Sequence, residues 1–145
     1  MGSLKIRPIN EMDAFTLAFL AEEFMPGEAT VEKRANTLMQ ALKNPDYQLL
    51  LAEIDGEIVG FVDQWIINDF AHGGKLSYIQ NLYVTPKHRK RGIGSQLLQE
   101  IIKRAKEKEV LEIHVVTEFE NKPAINLYKR YGLVKESLQL EMECK

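Results

Sequence analysis

Hydrophobic and polar residues follow two different periods along the chain, and the change of period separates the predicted elements. Short runs of apolar, β-branched and aromatic residues indicate strands, whereas apolar residues three and four positions apart indicate helices. The resulting order is β-α-α-β-β-β-α-β-α-β. Predicted strands cover residues 4–9, 47–54, 58–67, 76–84, 110–116 and 133–144, and predicted helices cover residues 10–23, 30–43, 92–108 and 121–132.

Capping and turn residues stand at the boundaries of these elements. Asn10, Thr30 and Asn121 each precede a helical pattern, and their side chains can accept a hydrogen bond from the first helical turn. Asp55-Gly56 lies between two strand patterns and predicts a tight β-hairpin. Gly132 is placed to end the fourth helix, because glycine readily adopts the left-handed conformation found at that position.

This order predicts a single domain over residues 1–145, of the α/β (α+β) class. Strands joined by hairpins are expected to be antiparallel, whereas the two strands on either side of the 92–108 helix are expected to be parallel. The parallel pair needs a right-handed crossover, which gives a mixed sheet with helices on both faces. This is not the arrangement of a doubly wound nucleotide-binding fold.

Composition and charge narrow the classes of partner. Apolar residues make up 45% of the chain and charged residues 28%, as in an ordinary globular protein. The formal net charge of −2 gives no general attraction to nucleic acid or to an anionic membrane. No apolar run reaches the ~18 residues of a membrane helix, and the single cysteine, Cys144, fits a reducing, cytoplasmic setting. The basic run at residues 87–91 has no wider basic face around it, so nucleic-acid binding is not the expected function.

A glycine-containing turn follows the fourth predicted strand and opens into a helix. Arg89-x-x-Gly92-x-Gly94 directs backbone N–H groups and the positive end of a helix dipole to one spot, which is a geometry that binds phosphate. A dinucleotide fingerprint would need a glycine where Leu97 stands. A P-loop would need the run Gly-x-x-x-x-Gly-Lys followed by Ser or Thr. Residues 74–77 read Gly-Lys-Leu-Ser and do not complete this run. The turn therefore indicates a phosphate-bearing ligand without identifying it.

Two sequence blocks together resemble the GNAT superfamily of N-acetyltransferases. The first block is the strand end Leu82-Tyr83-Val84 with Pro86, followed by Arg89-Lys90-Arg91-Gly92-Ile93-Gly94 and Leu97-Leu98. The second is Asn121-x-x-Ala124-x-x-Leu127-Tyr128 followed by Tyr131-Gly132-Leu133. Their order, spacing and predicted elements match the family over essentially the whole chain.

The resemblance implies that acetyl-CoA is the co-substrate and that no metal is needed. N–H groups of residues 89–95 would bind the pyrophosphate, and the pantetheine arm would pair with the exposed edge of a splayed strand at residues 82–84. The acceptor would be a primary amine that attacks directly in a ternary complex. The implied binding residues are Leu82, Tyr83, Val84, Arg89, Lys90, Arg91, Gly92, Ile93, Gly94, Ser95, Asn121 and Tyr128.

The resemblance also assigns catalytic roles, with one departure from the family pattern. Tyr128 matches the tyrosine that protonates the leaving CoA thiolate. Many members carry a glutamate on the central strand as the base, but residues 79–81 read Ile-Gln-Asn and contain no carboxylate. Glu118, just after the fifth predicted strand, is the first candidate for the base. Glu120, Asp63, His72 and a water relay are the alternatives.

The acceptor amine and the oligomeric state are open at this level. Acidic and aromatic residues in the loops that usually recognise the acceptor are compatible with a polyamine, a small aliphatic amine or a protein amine. These residues are Glu22, Glu23, Phe24, Glu28, Trp65, Asp69 and Phe70. A homodimer is possible, since dimers are common for this fold. The alternative function is a catalytically silent CoA-binding module that serves as a sensor or scaffold.

Overall fold

The structure describes residues 2–144. A mixed sheet of five strands forms the centre of this part of the protein. The structure is a computed structural model. Its strands are β1 (Leu4–Pro8), β2 (Tyr47–Ile54), β3 (Glu57–Asp69), β4 (Gly74–Val84) and β5 (Glu112–Val115). They lie side by side in chain order, antiparallel from β1 to β4, while β4 and β5 are parallel. The predicted fold class and strand directions are confirmed.

Four α-helices accompany the sheet in the described part of the chain: α1 (Ala14–Phe24), α2 (Val31–Leu42), α3 (Ile93–Glu107) and α4 (Lys122–Arg130). The predicted caps are confirmed. Thr30 accepts a hydrogen bond from the Lys33 N–H at 3.1 Å, and Asn121 accepts one from the Ala124 N–H at 3.3 Å. Asn10 caps a short 3-10 turn, Glu11–Asp13, which leads directly into α1.

The predicted hairpin between β2 and β3 is present. Asp55 and Gly56 have φ angles of 51° and 80°, so both central residues are left-handed, as a two-residue type I′ turn requires. The next hairpin is tighter than predicted, because the β3–β4 ladder continues to Asp69 opposite Gly74. The connection between the strands predicted at 58–67 and 76–84 is therefore only a four-residue turn, 70–73.

The core has two halves because helices cover both faces of the sheet. On one face, α3 and α4 pack against the sheet. On the other face, α1 packs against the sheet, and α2 packs against α1 through small residues. The first half includes Leu50, Val59, Val62, Ile79, Leu97, Leu98, Ile101 and Tyr128. The second half includes Leu17, Leu20, Tyr47, Leu49, Leu51, Phe61 and Tyr83.

The strand predicted at residues 133–144 is wrong for this structure. These residues are described, but they form no strand and no helix. Leu138, Leu140 and Met142 alternate as in a half-buried strand, yet they are 73%, 84% and 86% exposed. An alternating pattern indicates that a segment can lie on an apolar surface, but it does not supply the neighbouring strand that a ladder needs. Within residues 2–144, no helix is long and apolar enough to cross a membrane.

Candidate active site

The parallel strands β4 and β5 separate halfway along β4. Their pairing runs from Leu76 opposite Glu112 to Ile79 opposite Val115 and ends there. Residues 80–84 of β4 continue along β3, up to Val84 opposite Gly60. Over residues 80–84, the edge of β4 that lies on the β5 side is therefore no longer paired with β5. This leaves a V-shaped gap in the sheet.

A β-bulge lies at the start of this gap. β3 and β4 change register between Val62, which pairs with Leu82, and Gln64, which pairs with Ile79. One residue of β3, Asp63, therefore lies opposite two residues of β4, Gln80 and Asn81. Bulges bend a strand and re-aim its side chains, and this one lies where β4 leaves β5.

Backbone N–H groups of β4 point into the gap. The Thr85 N–H donates to the Val59 carbonyl on β3 at 2.9 Å. Because N–H directions alternate along a strand, those of Leu82 and Val84 point to the opposite side, where β5 has diverged. The Val84 carbonyl accepts a hydrogen bond from Arg89 Nε at 2.9 Å, and the Arg89 guanidinium lies 5.4 Å from the centre of the Tyr83 ring.

The glycine turn carries the chain from β4 into α3. Lys90 and Gly92 have φ angles of 65° and 78°, so the backbone is left-handed at both positions. The Gln96 N–H makes the first bond of the helix, to the Gly92 carbonyl at 3.0 Å. The N–H groups of Ile93, Gly94 and Ser95 precede it and have no acceptor within the helix, which makes this helix end suited to an anion.

The two glycines of the turn are needed for different reasons. At Gly92 an added Cβ would meet nothing within 4 Å, so its positive φ is the constraint rather than crowding. At Gly94 an added Cβ would lie 3.7 Å from Leu127 and 3.8 Å from Val84, which is ordinary van der Waals contact. The protein itself therefore tolerates a Cβ at Gly94, and only a molecule lying against the turn would exclude one.

Tyr128 lies on α4 with its ring in the core between α3 and the sheet. It is 7% exposed, and burial raises the pKa of its phenol above the ordinary value. The phenol consequently stays protonated around neutral pH and is able to donate a proton. Tyr131, its neighbour in the motif, accepts a hydrogen bond from Gln99 Nε2 at 2.9 Å and packs against the edge of the core.

The other predicted binding residues differ in how much of each is accessible. The Ile93 side chain is buried in the core, so only its backbone is available to a ligand. Ser95 is half-buried, whereas Lys90 and Arg91 are exposed. Asn121 uses its side-chain oxygen to cap α4.

Glu118 lies in the exposed connection between β5 and α4. Its carbonyl accepts a hydrogen bond from the Asn121 N–H at 3.1 Å, which helps to turn the chain into α4. His72, another candidate for the base, lies in the β3–β4 turn. Its Nδ1 is 2.5 Å from a carboxylate oxygen of Asp69. Gln80 is exposed. The catalytic role of Glu118 stays a prediction.

Asp63 is a carboxylate buried at the bulge, on the face of the sheet that α1 and α2 cover. It is 5% exposed and lines a cleft of about 550 Å³. Its oxygens accept hydrogen bonds from the Tyr47 hydroxyl at 2.6 Å, the Asn81 N–H at 2.9 Å and the Asn81 side-chain amide at 3.0 Å. Burial raises the pKa of Asp63, while the bonds from Tyr47 and Asn81 act in the opposite direction.

Aromatic rings form much of the wall of this cleft. Tyr47 and Trp65 lie 4.7 Å apart between ring centres, and Phe24 lies 5.8 Å from Phe61. Of the residues predicted to contact the acceptor, Phe24, Glu28 and Trp65 line the cleft. Phe70, at 98% exposure, and Asp69 lie in the β3–β4 turn region instead, and Glu22 is bound to Arg34 at 2.8 Å.

Sequence reasoning missed Tyr47, Phe61 and Asn81 as lining residues of the cleft, and it named Asp63 only as one alternative. A signal for Asp63 was present, since it is the one charged residue of the run 58–67, in which Gln64 is the only other polar side chain. Acidic residues are seldom buried without a specific reason. The partners of Asp63 lie 16 and 18 residues away along the chain, so the sequence did not reveal them.

A splayed parallel pair, a bulge and a turn suited to an anion follow one another along β4 and into α3. The model of the "Acetyltransferase (GNAT) family" matches residues 12–133. The chain belongs to this family, as the two sequence blocks predicted.

Individual relatives agree with this assignment. An N-alpha-acetyltransferase of Sulfurisphaera tokodaii is 33% identical over 101 residues, which cover 65% of this chain and 60% of that protein. A thialysine N-epsilon-acetyltransferase of Mus musculus is 27% identical over 146 residues, covering 91% of this chain and 85% of that one. The chain spans about three fifths of the length of the bacterial and archaeal relatives that it matches at 30% and 33% identity.

Solved structures share the fold. An aminoglycoside N-acetyltransferase, AAC(6')-Iy, solved in complex with CoA, superposes with a TM-score of 0.84 at 21% identity, over 100% of this chain and 96% of the other. A transcriptional regulator from Bacillus halodurans superposes equally well, with a TM-score of 0.84 at 23% identity, over 97% of this chain and 100% of that one. One architecture thus carries differently named functions, so the acceptor has to be argued from the site.

Proposed function

We propose that the protein transfers an acetyl group from acetyl-CoA to a primary amine by direct attack of the amine in a ternary complex. The main support is the gap beside residues 80–84 of β4, which is followed along the chain by the turn and the N-terminus of α3. Tyr128 belongs to the buried cluster that also holds Ile93 at the start of α3. An extended thioester arm needs a strand edge, its pyrophosphate needs N–H donors, and its leaving sulfur needs a proton.

The binding residues that we propose for acetyl-CoA are those of the turn and the strand edge. Of the predicted run of backbone N–H groups from Arg89 to Ser95, that of Arg89 donates to the Pro86 carbonyl at 3.3 Å. The N–H groups that follow it, with Gly92 and Gly94 among them, would hold the pyrophosphate. Residues 82–84 would pair with the pantetheine arm, as a peptide adds to a sheet. Arg89, Lys90 and Arg91 would add positive charge near the phosphates. Asn121, also in the proposed binding set, caps the start of α4.

Two groups of this chain would carry the chemistry at the thioester. The Val84 N–H points into the gap and would stabilise negative charge on the carbonyl oxygen. The Leu82 N–H lies about 7 Å away along the strand and would be free to pair with the pantetheine arm. Tyr128 would give its proton to the departing thiolate, and its raised pKa keeps that proton in place until it is needed.

Release of free CoA thiol from acetyl-CoA, measured across a panel of amines, tests the proposal. Turnover that depends on an added amine is the expected result. The alternative is a catalytically silent CoA-binding module, which is favoured by the absence of a carboxylate at Gln80 and Asn81. Binding of acetyl-CoA without turnover on any amine would establish this alternative.

The substitution Glu118→Gln tests the base that the sequence ranks first. A base in contact with the amine should contribute about 100-fold to the rate. If Glu118 has this role, kcat/KM at neutral pH falls by at least about tenfold. A change in kcat/KM of less than about twofold would mean that another group is the base.

We also propose that the segment 134–144 pairs with β5 of a second copy of the chain. β5 is the last strand of the sheet, so its outer edge has no partner strand within residues 2–144. Beside it, Leu111, Val116 and Phe119 are exposed apolar residues. One chain thus carries both an unpaired alternating segment and an unpaired edge, and two copies related by a twofold axis would satisfy both.

The substitution Leu140→Lys is expected to weaken this dimer by at least about tenfold, because a lysine ammonium would have to be buried against apolar residues. Size-exclusion chromatography with light scattering, at several protein concentrations, measures the change. Gln139→Lys is the matched control, since adjacent residues of a strand point to opposite faces. A wild-type protein that stays monomeric at every concentration contradicts the proposal.

A further inference from the structure

We propose that the Asp63 carboxylate binds the ammonium group of the acceptor and takes the proton that must leave before attack, and that the acceptor is a primary monoamine with an apolar body. The inference rests on the proposed acetyl transfer and names the substrate class for it. The carboxylate lies at the bulge where β4 leaves β5, next to Asn81, and it lines the cleft on the α1–α2 face.

The hydrogen bonds of Asp63 hold it in place but do not balance its charge. Its donors are a tyrosine hydroxyl, a backbone N–H and a side-chain amide, and all of them are neutral. The other charged groups that line the cleft are Glu28, Lys33 and Arg34, and Arg34 is already paired with Glu22. A buried carboxylate favours a cationic partner, because transfer of an unpaired charge out of water is costly. An alkylammonium entering the cleft would be that partner.

The walls of the cleft specify what the ammonium is attached to. Phe24, Phe61 and Trp65 present aromatic surface, and Leu17 and Leu38 add aliphatic surface. Burial of an apolar group against these walls stabilises the complex, and ring faces attract a nearby cation. Asp63 can neutralise one ammonium. Glu28, the other carboxylate of the lining, is exposed and shares the lining with the cations Lys33 and Arg34. A second ammonium on a short diamine would lose water against the apolar wall without a buried counter-charge, so a monoamine fits better.

The proton balance closes with the groups already described. Asp63 takes one proton from R–NH3+, which leaves a neutral amine with a lone pair. The amine nitrogen forms a bond to the thioester carbon, and the carbon–sulfur bond breaks. Tyr128 protonates the thiolate, and the second nitrogen proton restores the phenol. Asp63 then releases its proton to solvent, so each amide formed yields one proton and one CoA thiol.

The first experiment measures binding of 2-phenylethylamine to the protein saturated with CoA, by isothermal titration calorimetry, and so does not depend on turnover. Asp63→Asn is expected to raise the Kd of the amine at least about tenfold, because the ammonium loses its counter-charge. Asp46→Asn, the same change at an exposed residue next to Tyr47, is the matched control and should leave the Kd within about twofold. Equal amine affinity in wild type and Asp63→Asn overturns the proposal.

The second experiment retains the carboxylate, in case Asp63→Asn fails to fold. Tyr47→Phe removes a hydrogen bond that lowers the pKa of Asp63, so this pKa rises further in the variant. Activity requires Asp63 in its charged form and is lost as the pH falls through that pKa. The acid limb of the kcat/KM profile should therefore move to higher pH in Tyr47→Phe. An acid limb that does not move, in a folded and active variant, overturns the assignment of the base.

The third experiment tests the substrate class. n-Butylamine and butane-1,4-diamine have the same carbon chain and differ by one ammonium. We expect kcat/KM for the monoamine to be at least about tenfold higher, after correction for the two equivalent amino groups of the diamine. Preference for the diamine overturns the monoamine class.

The outcomes separate this inference from the function on which it rests. Binding of the amine that depends on Asp63, without CoA release, retains the site and rejects acetyl transfer. Acetyl transfer that proceeds equally well in Asp63→Asn retains the function and rejects the site.

Discussion

Replacing Gly94 by valine is expected to weaken acetyl-CoA binding at least about 100-fold while the protein stays folded. In the protein alone, a Cβ at this position would lie 3.7 Å from Leu127 and 3.8 Å from Val84, without a clash. A valine side chain would instead occupy space beside the first N–H groups of α3, where the proposed site requires the pyrophosphate to approach closely. The expected loss corresponds to about 2.7 kcal/mol of binding free energy.

Calorimetry with acetyl-CoA, together with a thermal melt, measures this effect. Gly94→Ala should give an intermediate loss, because its methyl group fills less of the same space. Gln96→Val is the matched control, since it puts valine in the same helical turn at an exposed position. Valine costs a helix less than about 1 kcal/mol, so this variant should fold and bind normally. A folded Gly94→Val protein with wild-type affinity would contradict the phosphate site.

Removing the Tyr128 hydroxyl is expected to lower kcat about 100-fold and to change the KM for acetyl-CoA little. Tyr128→Phe keeps the ring that fills the core between α3 and the sheet, so the fold should be retained. In the proposed mechanism this hydroxyl supplies the proton for the leaving thiolate, which is needed only as the carbon–sulfur bond breaks. The loss should therefore fall on kcat.

Steady-state kinetics with saturating amine measures the loss in Tyr128→Phe. Tyr131→Phe is its control: it also removes a motif hydroxyl, but that hydroxyl accepts a hydrogen bond from Gln99 on the surface of α3. This control should keep kcat within about twofold. An unchanged kcat in Tyr128→Phe would mean that water or another group protonates the thiolate.

Most of the fold was predictable because it depends on local signals. Asn121 is a good helix cap in almost any context, and Asp55-Gly56 supplies the two left-handed residues of its turn wherever strands flank it. The apolar periods of α3 and β4 likewise identify a helix and a strand without knowledge of their neighbours.

The error at residues 133–144 has the opposite cause. Leu138, Leu140 and Met142 satisfy the local rule for a strand, but a strand is completed by a partner, and the described chain offers this segment none. The difference between Gly92 and Gly94 was also beyond the sequence. Only the coordinates show that one is required by its φ angle, while the other leaves room for a ligand.

The sequence by itself determined the family, the turn that suits a phosphate and the position of Tyr128, because each of these depends on residue types at short, constant spacings. Only the tertiary structure brought Tyr47, Asp63 and Asn81 together, since they come from three different strands and meet at a bulge whose register no local pattern encodes. The central strand has no carboxylate at Gln80 or Asn81. The opposing strand supplies a buried one, because pairing across the bulge places Asp63 directly beside them.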